Sequence, residues 1–97
     1  MESQVIYLRL CLDGSDKQDL RKRHRAERQL WLASPPSKIL EAGPLFKDDG
    51  CEDYAGTMML IEAESREAVL ALHDDDPFTK AGIYEQVVIM PYQKRVG

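Results

Sequence analysis

The sequence predicts a single α+β domain built in the order strand–helix–strand–strand–helix–strand. Three observations carry this. Four short blocks, at residues 4–12, 38–46, 57–63 and 83–92, are dense in Val, Ile, Leu, Met and Tyr. Two stretches with capping signals and helical spacing separate the first block from the second and the third from the fourth. The chain has 97 residues, enough for one core and no second domain, so residues 1–97 are read as one unit.

Residues 4–12 form the first strand, and Asp13 with Gly14 marks a turn. Ser15 and Gln18 have the spacing of a capping box, which opens a helix over 16–33. Pro35 and Pro36 end it. The second strand, 38–46, contains Gly43 and Pro44, a signal for a bend or bulge. The polar segment 47–54 is a loop, and 57–63 is a third strand with a continuous apolar centre. Ser65 caps a second helix whose inward residues are Ala68, Val69 and Leu72. Three aspartates end that helix. A single turn at 77–81, closed by Gly82, leads to the last strand.

Both faces of the first strand are apolar. Ile6, Leu8, Leu10 and Leu12 share one face; Val5, Tyr7, Arg9 and Cys11 share the other. Two helices cover only one face of a four-stranded sheet. A second sheet is the natural cover for the remaining face, expected to be the one with Tyr7 and Cys11, and this implies a homodimer packed sheet to sheet. The net charge of −4 argues against a nucleic-acid partner. No apolar run is long enough for a membrane span, and no signal peptide is evident. Cys11 and Cys51 match no disulfide framework or zinc spacing, and read as reduced thiols of a cytoplasmic protein. No cofactor or metal is implied.

Among residues that can carry chemistry, His24 falls on a stripe with Leu20, Glu27 and Trp31. It is either a half-buried histidine paired with Glu27 or an imidazole lining a pocket. Asp76 precedes Pro77, so it is either the cap of the following turn or a carboxylate that orients a histidine. Arg21, Lys22, Arg23, Arg25 and Arg28 read as a solvated basic face, with the alternative that one or two arginines hold an anionic ligand at a pocket mouth. His73 reads as an exposed residue beside the aspartates. Tyr7, Arg9, Tyr84 and Tyr92 are candidate pocket walls by position, with packing or surface as the favoured reading of each.

Several stretches resemble the YciI-like family: Val5-Ile6-Tyr7, Arg23-His24, Ala42-Gly43-Pro44, and Asp76-Pro77-Phe78 followed by Ala81-Gly82-Ile83-Tyr84-Glu85. Gly56-Thr57 and the run from Glu62 to Ser65 fit as well. The resemblance implies a ferredoxin-like βαββαβ fold, with a four-stranded antiparallel sheet and two helices on one face, paired into a dimeric α+β barrel. It also implies a His24–Asp76 pair as the active site. Beside that pair, Tyr7, Arg9, Thr57 and Phe78 are this reading's candidate contacts to a small-molecule ligand or anion. One branch of the family resembles lyases that remove chloride from chlorinated hydroxylated aromatics. The expected function is therefore acid–base chemistry on a small hydroxylated aromatic. Two alternatives stand beside it: a non-catalytic metabolite-binding or accessory dimer, and a cofactor-free monooxygenase on the same scaffold.

Overall fold

A computed structural model describes residues 4–97. Strand β1 (Val5–Asp13) is followed by helices α1 (Gln18–Arg23) and α2 (Arg25–Ala33). Strands β2 (Lys38–Phe46) and β3 (Tyr54–Ala63) come next. Helix α3 (Arg66–Asp75), the single turn α4 (Pro77–Lys80) and β4 (Tyr84–Pro91) complete the chain. The strands form one antiparallel sheet in the order β2-β3-β1-β4. This is the ferredoxin-like α+β arrangement, with the helices packed on one face.

Local chemistry explains most boundaries. Ser65 Oγ accepts from the Ala68 N–H at 3.3 Å and starts α3. Gly82, at φ 75°, turns the chain out of α4 into β4. The first helix differs from the sequence expectation. Lys17, not Ser15, occupies its N-cap, and the helix is interrupted at His24. Gln18 makes no capping box; its side chain donates to Tyr54 O and accepts from Tyr54 N, at 3.0 and 3.1 Å. That double bond pins α1 to the start of β3. The second strand is irregular on either side of Gly43 and Pro44, between Ile39 and Glu41 and again at Leu45–Phe46, rather than at the pair itself. Pro44 is tolerated because β2 is an edge strand.

The sheet faces are the reverse of the expected assignment. Tyr7, Arg9 and Cys11 lie under the helices, with Thr57, Met59, Ile61 and Ile89 as their inward neighbours. Tyr7, Met59, Ile61, Val69 and Leu72 form the core, and Trp31 packs at its edge. The open face carries Ile6, Leu8, Leu10, Leu12, Met58, Leu60, Val88 and Met90. Alternation fixes which residues share a face but not which face the helices take. Here the face with the buried arginine is the covered one, because Arg9 finds its partners only on the helix side.

Candidate functional site

Asp76 is the C-cap of α3 and the N-cap of α4, and it is fully buried. Its Oδ1 accepts from the Phe78 N–H at 2.9 Å. Its Oδ2 accepts from Arg9 Nη2 at 2.9 Å and from Arg28 Nη2 at 3.2 Å. Arg28 Nε also lies 3.0 Å from Oδ1. Its N–H is not aligned with that oxygen, however, and has no hydrogen-bond partner among the described residues. We therefore count one aligned bond from Arg28 plus a close charge contact. Arg9, 0% exposed, extends the cluster to His73 Nδ1 (Nε at 3.1 Å, Nη2 at 2.8 Å) and Thr79 Oγ1.

A second buried pair lies beside the first. Arg21 Nε and Nη2 grip Asp13 at 2.5 and 3.1 Å, and the two N–H groups of Nη2 are shared between that carboxylate, Gly56 O and Thr57 Oγ1. The guanidinium of Arg21 sits over the rings of Tyr54 and Phe78, and that of Arg28 over Phe78 and Trp31. The aromatic rings thus lie within cation–π distance of both guanidiniums. Arg21, Arg25, Arg28, Gln29, Thr57 and Phe78 are among the residues lining a cleft of about 220 Å³ between α1–α2 and the β2–β3 edge, floored by Met59. Among the described residues no carboxylate lines it. The Nη1 groups of Arg21 and Arg28 donate to no atom of the described residues. Three buried guanidiniums face two buried carboxylates, Asp13 and Asp76, leaving one formal positive charge in excess beside the cleft. An uncompensated buried charge is costly, so the arrangement favours an anionic occupant.

The structure places the sequence candidates as follows. Thr57 and Phe78 line the cleft. Arg9 lies behind it, and Tyr7 is in the core. His24 and Asp76 are not brought together: His24 Nδ1 pairs with Glu27 Oε1 at 3.1 Å on a partly exposed helix face, and the Asp76 oxygens are taken by arginines and a backbone amide. The capping role of Asp76 is realised, while the orienting role toward His24 is not. Reading one 100° period through residues 16–33 placed His24 inward, but the interruption at His24 splits that stretch and the buried side chains are Arg21 and Arg28. The "solvated" arginines are therefore the cleft wall. Their seven-residue separation, two helical turns, was the available signal. His73 is likewise half-buried on Arg9 instead of exposed.

Burial and Arg9 both lower the His73 pKa, which keeps Nδ1 available as an acceptor. Burial pushes Tyr84 up to about 12, so its hydroxyl stays protonated; it lies 3.2 Å from Thr57 Oγ1 and 3.4 Å from Asp76 Oδ2. Burial also raises the Cys11 thiol to about 11, outside nucleophilic use at neutral pH. Among the described residues no cluster of His, Cys, Asp and Glu is spaced to hold a metal, and no helix is long and apolar enough to cross a membrane.

Fold and cleft together define a small antiparallel α+β domain with an arginine-walled cleft. Residues 5–93 match the YCII-related domain, and the chain belongs to that family. It is 35% identical over 95 residues to Protein YciI of Escherichia coli O6:H1, covering 93% of this chain and 95% of the relative; Protein YciI of Shigella flexneri matches equally. Among solved structures, 5-chloro-2-hydroxyhydroquinone dehydrochlorinase from Burkholderia phenoliruptrix AC1100, in complex with 2,5-dihydroxybenzoquinone, superposes with a TM-score of 0.80 at 27% identity, over 91% of this chain and 93% of that one. An EthD family protein of Bacillus halodurans shares the fold, with a TM-score of 0.50 at 11% identity, over 94% of this chain and all of that one.

Proposed function

We propose that this chain is a small-molecule enzyme that takes a planar, anionic, hydroxylated aromatic or quinone into the Arg21–Arg28 cleft. One observation carries the reading: a cleft walled by three arginines and aromatic rings, with no carboxylate among its described lining residues, beside a buried charge excess. The dehydrochlorinase neighbour supports the substrate class. The chemistry is loss of HCl from a chlorinated hydroxylated ring. One ring hydroxyl gives up its proton and the chlorine-bearing carbon gains one, so the ring becomes a keto tautomer; a second hydroxyl then loses its proton as the C–Cl bond breaks, which releases chloride and a hydroxyquinone, and the guanidiniums stabilise the ring oxyanion at each stage. Asp76 holds Arg28 in place and is itself anchored by Arg9.

Chloride release from anaerobic 5-chloro-2-hydroxyhydroquinone tests this. The expected result is enzyme-dependent release of one chloride per substrate, with KM raised several-fold by Arg25→Gln. Saturable binding without chloride release would replace the enzyme reading with a metabolite-binding one.

The active form proposed is a homodimer formed through the open sheet face. Val88 and Met90 are 40% and 56% exposed there, next to Leu10 and Leu8 on β1, and a contiguous apolar surface of this kind needs a cover. Sedimentation at micromolar concentration should give twice the 11.1 kDa chain mass. A stable monomer would overturn the assignment.

A further inference from the structure

The hydroxyl of Thr57 connects the buried network to the cleft. Its Oγ1 lies 3.1 Å from Arg21 Nη2, which can only donate, and 3.2 Å from the Tyr84 hydroxyl. Tyr84 has two possible acceptors, Thr57 Oγ1 and Asp76 Oδ2 at 3.4 Å. Oδ2 already accepts from Arg9 Nη2 and Arg28 Nη2, which fill its two lone pairs. Thr57 is the nearer and less crowded acceptor. With Arg21 and Tyr84 both donating to it, the Thr57 oxygen is saturated. Apart from the Tyr84 oxygen, which that direction of donation excludes, its one hydrogen has no acceptor among the described residues, and the residue lines the cleft.

We propose that Thr57 is a fixed hydrogen-bond donor to a ligand oxygen, held in that role by Tyr84 as a positioning residue, so that the cleft selects the ionised form of its ligand. The proposal rests on the reading of the cleft as an anion site. It adds that the arginine edges and the Thr57 O–H together present donors where the ligand oxygens lie. A ligand oxygen that still carries its proton finds a donor facing it at Thr57. The same oxygen, once ionised, accepts from Thr57 and from a guanidinium. The alternative orientation, with Thr57 donating to Tyr84 and Tyr84 to Asp76, would free a lone pair for a protonated ligand, and it is opposed by the filled Oδ2. Removing the Tyr84 hydroxyl also removes that constraint: one lone pair of Thr57 then opens to a ligand hydroxyl. Tyr84 was visible in the sequence only as a possible pocket wall; its part in setting the direction of a hydroxyl two strands away required the fold.

The test uses 2,5-dihydroxybenzoquinone, whose absorption spectrum follows its ionisation, titrated with pH when free and when bound to the full chain. In the wild type the bound compound should ionise at lower pH than the free one. In Thr57→Val, which keeps the shape of the side chain, and in Tyr84→Phe, the bound midpoint should move back toward the free value by about one pH unit, the size expected for loss of one hydrogen bond to a charged oxygen. Thr57→Ser, which keeps the hydroxyl, should retain the wild-type midpoint, and it controls for loss of folding in the valine variant. A wild-type midpoint in both Thr57→Val and Tyr84→Phe overturns the proposal and leaves the anion site standing. Failure of the wild type to bind the compound overturns both.

Discussion

Replacing Asp76 with alanine is expected to cost about 3–5 kcal/mol of folding stability, because it strips two buried arginines of the carboxylate they share. Arg9 is 0% exposed and cannot turn to solvent without opening the sheet–helix interface. Arg28 loses its counter-charge at the same time. The Phe78 N–H loses its cap, a further contribution of about 1 kcal/mol. Against a total stability of roughly 5–15 kcal/mol, such a loss threatens the fold itself. Asp76→Asn should fall between the two, since the amide keeps one oxygen acceptor but removes the charge. Urea unfolding of the three proteins reads this out. A loss under about 1 kcal/mol in the alanine variant would mean that the arginines do not depend on Asp76.

Gly56→Ala is expected to be comparably damaging for a different reason. A Cβ at Gly56 would overlap the Cys11 carbonyl oxygen and crowd Cys11 C and Leu12 Cα, all backbone atoms of the neighbouring central strand. Side chains can rotate away from a clash, whereas paired strands cannot. The β1–β3 ladder would have to separate near Leu12, opposite Gly56. The same movement would pull Gly56 O from Arg21 and unsettle the cleft wall. A destabilisation of about 3 kcal/mol or more is expected, above the usual range for overpacking. Gly43→Ala is the control: nothing lies within 4 Å of a Cβ there, and β2 is an edge strand. It should change stability by no more than about 0.5 kcal/mol. Equal effects at the two glycines would contradict the placement of β1 against β3.

The element order was legible because each element has its own local signal. Ser65 marks the start of α3, Asp76 and Pro77 mark α4, and period-two apolar blocks mark the strands. The site was less legible. Periodicity assumes that charged side chains face water, and Arg9, Arg21 and Arg28 do not. What makes their burial possible is a pair of carboxylates, Asp13 and Asp76, that lie far from them in sequence or on another element. The interruption at His24 has no proline or glycine to announce it, so a single helical stripe carried His24 to the wrong side. Thr57 and Phe78 were reachable because they lie beside family-like motifs that the fold brings to the cleft. The direction of the Thr57 hydroxyl depends on Tyr84 and Arg21 together, which no single segment reveals.

The central claim is that the arginine-walled cleft binds a planar anion through its excess positive charge. Isothermal titration of the wild type with 2,5-dihydroxybenzoquinone and with 2,5-dimethoxybenzoquinone, the same ring without ionisable hydroxyls, tests it most directly. The account expects saturable binding of the dihydroxy compound, at least about tenfold tighter than the dimethoxy compound, with a preference that narrows as salt is raised. Equal affinity for the two, or no binding of the anion at millimolar concentration, would contradict it.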